Sequence, residues 1–380
     1  MPRPVVWVLA HDLSRSGVPM ALTRMAAWQA HHAPERAELH VVAVRSGSLA
    51  AALRVSCASV TTLDPADERG AASTLAAGAA QLGHDRSASV IRGAAWRVRV
   101  RHLPTPDVVL VHGAGGWLVH RDLARFLPDR CRLVVHLHEL ATALDRSIPA
   151  ADQRAFLSSA TTVLAVAPAV ADLARQRGGS TLAVAIVPGV ADALGEQTGH
   201  HARDTATSHR RQVVSIGAPG WRKGTDRALA VAHALARTNP DVACTWIGGP
   251  VDPTLAFARG TASPLGMIAG CPQPWDLVPP GSVLLVPSRE DPLPLVVLEA
   301  GRRAIPVVAA DTGGLADLLA TRRGLVVPGH DLAAMAAAVT DTLGRPEAAA
   351  ERARRLADHV ALHFSAEVVG PQWLDAVLGV

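Results

Sequence analysis

Short β-branched runs, turns containing Gly, Pro or Asp, and Ala/Leu/Arg-rich stretches of helical period alternate along the whole chain. Runs such as VVLV at 108–111 are apolar at consecutive positions, the pattern of strands buried on both faces. In the first half this predicts strands at 5–9, 39–44, 60–63, 108–112, 133–137, 162–166 and 183–187. Helical periodicity between them predicts helices at 19–31, 73–82, 122–127, 152–158 and 168–177. Strands alternating with helices give βαβ units and a parallel sheet covered on both faces.

A polar interval, GEQTGHHARDTATSHRR at 195–211, has almost no large apolar side chain and reads as a linker. Its histidines His200, His201 and His209 lack the Cys or carboxylate spacing of a metal site and read as solvated. The strand–helix pattern then restarts, with strands at 213–217, 243–247, 265–269, 282–286 and 307–309. Helices are expected at 225–237, 294–302, 314–319, 331–343 and 346–363, and a last one at 373–378 beyond Gly370 and Pro371. The fold class is therefore α/β, with two doubly wound Rossmann-like domains facing a central cleft. The expected boundaries are 1–194 for the first domain, 195–211 for the linker and 212–364 for the second domain. A C-terminal segment, 365–380, follows. Ligands of open α/β sheets bind at the carboxyl ends of the strands, so chemistry is sought in the loops that follow them.

Composition agrees with two cores. The 380 residues are about 2.5 times a usual ~150-residue domain, and 49% hydrophobic against 18% charged residues excludes a disordered chain. No apolar run approaches the ~18 to 20 residues of a membrane helix, and the first run stops at His11 and Asp12, short for a secretory signal. A cytoplasmic protein is expected, free to touch a membrane peripherally but not transmembrane. The four cysteines are 74, 113 and 27 positions apart, which fits no zinc or redox motif. A net charge of +4 spread along the chain gives no support for nucleic acid and leaves a small anionic ligand open.

The stretch PSREDPLPLVVLEAGRRAIPVVAADTGG at 287–314 is the most informative. A buried strand runs into a loop holding Glu290 and Asp291, then into a helix beginning near Pro294. Glu299 lies about 7.5 Å along that helix. The helix N-terminus favours an anion. A purely structural pair of carboxylates is the alternative, but Val296, Val297 and Leu298 need burial around Glu299, which strains it.

A second strand-to-helix turn, VVSIGAPGWRKGTDRALAVAHAL at 213–235, carries Arg222 and Lys223 before a helix that Thr225 or Asp226 can cap. Cations there are misplaced unless an anion joins them. Lys223 is the single lysine among 37 basic residues, which suggests a compact ammonium for phosphate; chance retention is the alternative. In HDLSRSGVPMALTRMAAWQ at 11–29, Gly17 permits close backbone approach at a helix start, a weaker signal than GxGxxG. HLHEL at 136–140 sets His138 and Glu139 at a strand end, where His138 is a cleft acid, base or phosphate donor, or a structural histidine. There is no HExxH, GxSxG, GxxxxGK[ST] or DxD.

With these motifs in order, the chain resembles a retaining glycosyltransferase of family 4, of the GT-B fold. The family pattern P-S-x-x-E, seven residues, E-A, then G-x-P-V-V-A and G-G reads here as Pro287, Ser288, Asp291, Glu299, Ala300, IPVVA, Gly313 and Gly314. The EDPLPLVVLEA block is accompanied by a WRKG turn, Trp221 to Gly224, and by Gly17, Val18 and Pro19 in the first loop. The resemblance implies that Glu299 holds the nucleotide ribose and that Arg222 and Lys223 grip a diphosphate. It further implies that Asp291, with Glu290 beside it and the N–H groups of Leu293 and Leu295, meets the donor sugar. Gly17 would approach from the first domain, His138 would face the reacting groups, and the closing helix around Trp373, at 365–380, would be a crossover helix back to the first domain. Three departures stand out: Asp291 replaces Glu, Ala218 replaces Arg, and Pro292 and Pro294 replace a Gly-Phe-Gly pattern, removing two N–H donors.

The implied activity is retaining transfer of a sugar from a nucleoside diphosphate sugar to an acceptor hydroxyl on a glycan, a lipid-linked molecule or a small molecule. It requires no metal and no cofactor beyond that co-substrate. A non-catalytic nucleotide- or glycan-binding partner protein and a sugar-nucleotide epimerase are the alternatives.

Overall fold

The computed structural model describes residues 2–64, 71–191, 212–249 and 263–380. The chain divides into two compact units, Met1–Leu194 with Ala366–Val380, and Gly195–Ser365. The interval read as a linker, with His200, His201 and His209, lies outside the described residues.

In the first unit β1 (Val5–Asp12), β2 (Glu38–Arg45), β3 (Ser59–Thr62), β4 (Val108–His112), β5 (Arg132–Leu137), β6 (Thr162–Ala165) and β7 (Val184–Ile186) form one sheet. Its order is β3-β2-β1-β4-β5-β6-β7 and every pairing is parallel. Val8 pairs with Val41 on one side and Leu110 on the other. All three are fully buried, as an unbroken apolar strand requires. The helix Gly17–His32 covers this sheet with Leu22, Met25 and Trp28.

The closing helix is longer than periodicity alone predicts, running Ala366–Leu378 with Pro371 inside it. Pro371 and Gly370 read as breakers, yet Val369, Trp373, Leu374 and Val377 bury one face in the first unit's core. That burial outweighs one lost backbone hydrogen bond. Gly370 is required for the packing: a Cβ there would lie 2.1 Å from Cδ2 of Trp28. Arg36 ties the far end by an ion pair with Asp375 at 2.7 Å.

The second unit holds β8 (Gln212–Ile216), β9 (Ala243–Ile247), β10 (Leu265–Ile268), β11 (Val283–Val286), β12 (Val307–Ala310) and β13 (Leu325–Val327). The order is β10-β9-β8-β11-β12-β13, again parallel. Helices Thr225–Thr238 and Leu332–Gly344 share its core through Leu235, Met335 and Val339.

In each sheet the chain turns opposite ways from two adjacent strands, β1 and β4 in one and β8 and β11 in the other. Loops leaving such a pair diverge and open a crevice at the carboxyl ends. Among the described residues no helix is long and apolar enough to cross a membrane.

Candidate functional site

In the second unit the two sequence motifs meet at the β8/β11 crevice. Lys223, after β8, donates to Oδ2 of Asp291, after β11. Asp291 is buried, with Ser288 Oγ 3.4 Å from the same carboxylate oxygen. Arg222 donates to the Glu290 carbonyl at 3.0 Å, and its own carbonyl accepts from Arg289 N at 2.8 Å. The two loops are thus stitched by main chain and side chain together. The cations at this turn call for an anion, and within the chain Asp291 supplies one to Lys223.

The local sequence explains the turn, with one correction. Neither Thr225 nor Asp226 caps the helix Thr225–Thr238; the N-cap is Gly224, left-handed at φ 73°. Glycine is needed there twice over, because a Cβ would also lie 2.1 Å from the Pro287 carbonyl oxygen. Thr225 Oγ1 instead accepts from Gly220 N at 2.9 Å and folds the turn. Asp226 takes a forked pair from Arg289 at 2.7 and 2.5 Å. The Arg289 hydrogen bonds hold the Asp226 carboxyl below its ordinary range. Arg289 also stacks 5.1 Å over the exposed Trp221 ring. Nothing in the spacing of PSREDP marks Arg289 as this brace.

The following helix runs Leu295–Arg302, with Pro294 at the N-cap rather than at the first helical position. Leu293 and Leu295 are half-buried at its mouth, and Glu290 is half-buried beside Asp291. Glu299, on the same helix, accepts from Trp275 Nε1 at 2.8 Å. Arg303 lies 5.0 Å over the Trp275 ring. Trp275 sits in PWDL, a short 3-10 turn that gives no sequence signal. The Gly313–Gly314 pair closes back on the loop through Gly314 N to the Pro292 carbonyl at 2.8 Å.

In the first unit a cavity of about 390 Å³ opens at the β1/β4 crevice. Its polar lining includes His11, Asp12, His112, Glu139 and Arg146. His11 hydrogen-bonds Asp12 and lowers its carboxyl well below the usual range. Gly17 begins the helix at this mouth with nothing within 4 Å of where a Cβ would stand. Its neighbours Ser16, Val18 and Pro19 line the cavity.

His138 is not among the cavity-lining residues. Its ring packs 4.5 Å from His112 and 4.2 Å from His136, centroid to centroid. Burial, with His136 and His112 alongside, holds it well below the ordinary imidazole range. Burial likewise takes His112 down to about 4. The strand-end position that singles out His138 applies equally to His112 at the end of β4, so that residue was findable by the same rule.

Over 99% of its length the chain matches Anabaena Alr3699/HepE in complex with UDP-glucose, with a TM-score of 0.74, covering 100% of that chain at 16% identity. Sucrose-phosphate synthase of Thermosynechococcus elongatus matches over 98% of this chain and 97% of its own, with a TM-score of 0.71 at 16% identity. The fold is GT-B. Within it, residues 210–345 match the family described as Glycosyl transferases group 1. D-inositol 3-phosphate glycosyltransferase of Streptomyces avermitilis is 35% identical over 153 residues, 36% of this chain and 33% of that protein. The GDP-mannose-dependent alpha-(1-6)-phosphatidylinositol monomannoside mannosyltransferase of Mycolicibacterium smegmatis is 32% identical over 157 residues, 37% of this chain and 41% of that protein. The chain thus spans about a third to two fifths of the length of these curated relatives.

Proposed function

We propose that this GT-B chain is a glycosyltransferase of the hexosyl type, taking a sugar from a nucleoside diphosphate to an acceptor hydroxyl with retention and without a metal at the diphosphate. One observation carries the reading: the Lys223–Asp291 pair joins the two motif loops at the β8/β11 crevice, within the segment matched to Glycosyl transferases group 1. Supporting it, relatives of this chain are named for glycosyl transfer, and a fold neighbour is described with UDP-glucose.

In this reading Lys223 and Arg222 meet the diphosphate as the bond from sugar C1 to its oxygen breaks and charge develops there. Two fixed cations do the work a divalent ion would do. The acceptor oxygen bonds to C1, and its proton passes to the departing phosphate, so the reaction balances without an external base. When Lys223 turns to phosphate, Asp291 is released to accept from a donor-sugar hydroxyl. Glu299, oriented by Trp275, holds the ribose. Leu293 and Leu295 offer their N–H groups at the helix mouth. The acceptor occupies the first unit's cavity, where His11, Glu139 and Arg146 offer polar contacts, and Gly17 leaves backbone open at its rim. His138 supports the reacting groups from behind His112.

The test is a thermal-shift screen of UDP, GDP, ADP and TDP sugars, followed by turnover on the donor that binds. A ligand at 100 times its dissociation constant adds about 2.7 kcal/mol of stability. Binding with turnover to free or transferred sugar supports the transferase. Binding without any turnover favours a nucleotide-binding partner protein, and product formed without acceptor and without sugar release favours an epimerase.

A further inference from the structure

Three histidines at the carboxyl ends of β4 and β5 form a cluster that diphosphate chemistry does not use. His112 ends β4 and is paired in register with His136 of β5. His138 stands two residues beyond His136, so strand alternation turns both toward one side. The ring centroids of His112 and His136 are 5.1 Å apart, and His138 lies closer to each.

The proton positions on two of these rings follow from their partners. His112 Nε2 lies 3.0 Å from the Val18 carbonyl oxygen, and His136 Nε2 lies 3.3 Å from that of Val187. A carbonyl only accepts, so each Nε2 carries the hydrogen and each Nδ1 is left with a lone pair. Nδ1 of His112, Nδ1 of His136 and Nε2 of His138 are all buried and have no hydrogen-bond partner among the described residues. His112 is 2% exposed and His136 is fully buried. Buried acceptors are ordinarily satisfied, so three orphans side by side need a reason. One ring nitrogen from each histidine lies within 4.8 Å of the others.

We propose that His112, His136 and His138 bind one divalent transition ion in the first unit, zinc being the ion the donor set suits best. Neutral imidazoles select zinc, cobalt, nickel or copper over magnesium or manganese. A tetrahedral ion at about 2.0 to 2.1 Å from each nitrogen needs those nitrogens about 3.4 Å apart, within reach of ring rotation from the present spacing. The Val18 and Val187 carbonyls hold the two outer N–H groups, the arrangement that fixes ring orientation and tautomer around protein-bound ions. Three nitrogen ligands leave one tetrahedral position for water or an oxygen ligand. Because His112 also lines the cavity, the ion stiffens the wall of that cavity. The site is separate from the diphosphate grip, which lies in the other unit, and its test reads metal binding rather than sugar transfer.

The experiment is a cobalt and zinc titration of full-length protein stripped with chelator and exchanged into metal-free buffer. One equivalent of cobalt should give the visible d–d absorption of a tetrahedral nitrogen site, displaced by one equivalent of zinc, and zinc should raise the melting temperature. His138→Ala should abolish the band and weaken zinc binding by more than ~100-fold, as loss of a direct ligand exceeds the effect of an outer-shell change. The circular dichroism spectrum should be unchanged. The control replaces His359 and His363, whose rings lie 4.6 Å apart on the helix Pro346–Phe364, together with His200, His201 and His209; it should keep the band. A band that survives His138→Ala and disappears in the control overturns the proposal, as does a wild-type protein that shows neither band nor zinc stabilisation. Should His138→Ala not fold, the wild-type and control spectra decide on the same criteria.

Discussion

The ammonium of Lys223 is held by the buried carboxylate of Asp291, 68 residues away in the chain. This pair fastens the loop after β8 to the loop after β11 at the point where the second sheet reverses its winding.

The pair makes Lys223 structural as well as functional. Lys223→Ala should therefore lower unfolding free energy by up to about 3 kcal/mol, because a buried carboxylate loses its partner. Composition alone suggests a phosphate lysine whose removal leaves folding untouched; the pairing with Asp291 changes that expectation. In a double-mutant cycle with Asp291→Asn, urea unfolding should give a coupling of about 1 to 3 kcal/mol. Strict additivity would mean that the two side chains do not act together.

Asp291→Asn should depress turnover on the full donor while bare nucleoside diphosphate binds no more weakly, since that ligand lacks the sugar and Lys223 is released to it. Glu299→Gln should weaken both ligands by about 1.5 to 3 kcal/mol, the range for a charged hydrogen bond. Glu290→Gln is the control and should be mild. Abolished turnover in Glu290→Gln with a harmless Asp291→Asn would move the sugar ligand by one residue.

Trp275→Phe removes the N–H that orients the Glu299 carboxylate at 2.8 Å. Nucleoside diphosphate affinity should fall by about fivefold, corresponding to about 1 kcal/mol, with the preference among donor sugars unchanged. Calorimetry of the variant against several sugar nucleotides checks both halves.

His120 gives a pH signature. Burial beside Phe156, whose ring centroid is 5.6 Å away, pushes its imidazole down to about 4 from an ordinary 6.5. Between those values the unfolded chain binds the extra proton, so stability rises with pH across about 4 to 6.5 and is flat from this group outside that window. His120→Phe should remove up to about 3 kcal/mol of that slope. The difference between wild-type and variant unfolding curves isolates His120 from the buried histidines that act with the same sign.

The strands are legible because β-branched and other apolar side chains dominate them: 108–112 and 243–247 coincide with β4 and β9. Helices with diluted apolar faces were not. Asp85–Val100 buries Ala88, Gly93 and Trp96 among many arginines, and the helix Trp117–Leu123 lies ahead of the predicted 122–127, which holds a 3-10 turn at Ala124–Phe126 instead. β13, Leu325–Val327, is three half-buried residues and goes unread in the sequence pattern. At the candidate site, Lys223, Asp291 and Glu299 could be read from motif spacing. Trp275, which donates to Glu299, and Arg289, which braces Asp226 and Trp221, could not, because each reaches its contact only through tertiary approach. Gly224 takes the cap expected of Thr225 or Asp226 because the position is left-handed and a Cβ there would run into the Pro287 carbonyl.

If Arg222 and Lys223 grip the donor, the second unit binds a nucleoside diphosphate without a divalent ion at the phosphates. Isothermal calorimetry of the preferred nucleoside diphosphate, in buffer free of magnesium and manganese, tests it most directly, with wild type and a folded Lys223→Met variant side by side. Wild-type binding should be saturable and no tighter with added magnesium or manganese, and Lys223→Met should lose about 1.5 to 3 kcal/mol of affinity. Binding that appears only with the added ion, or that Lys223→Met leaves unchanged, would contradict it.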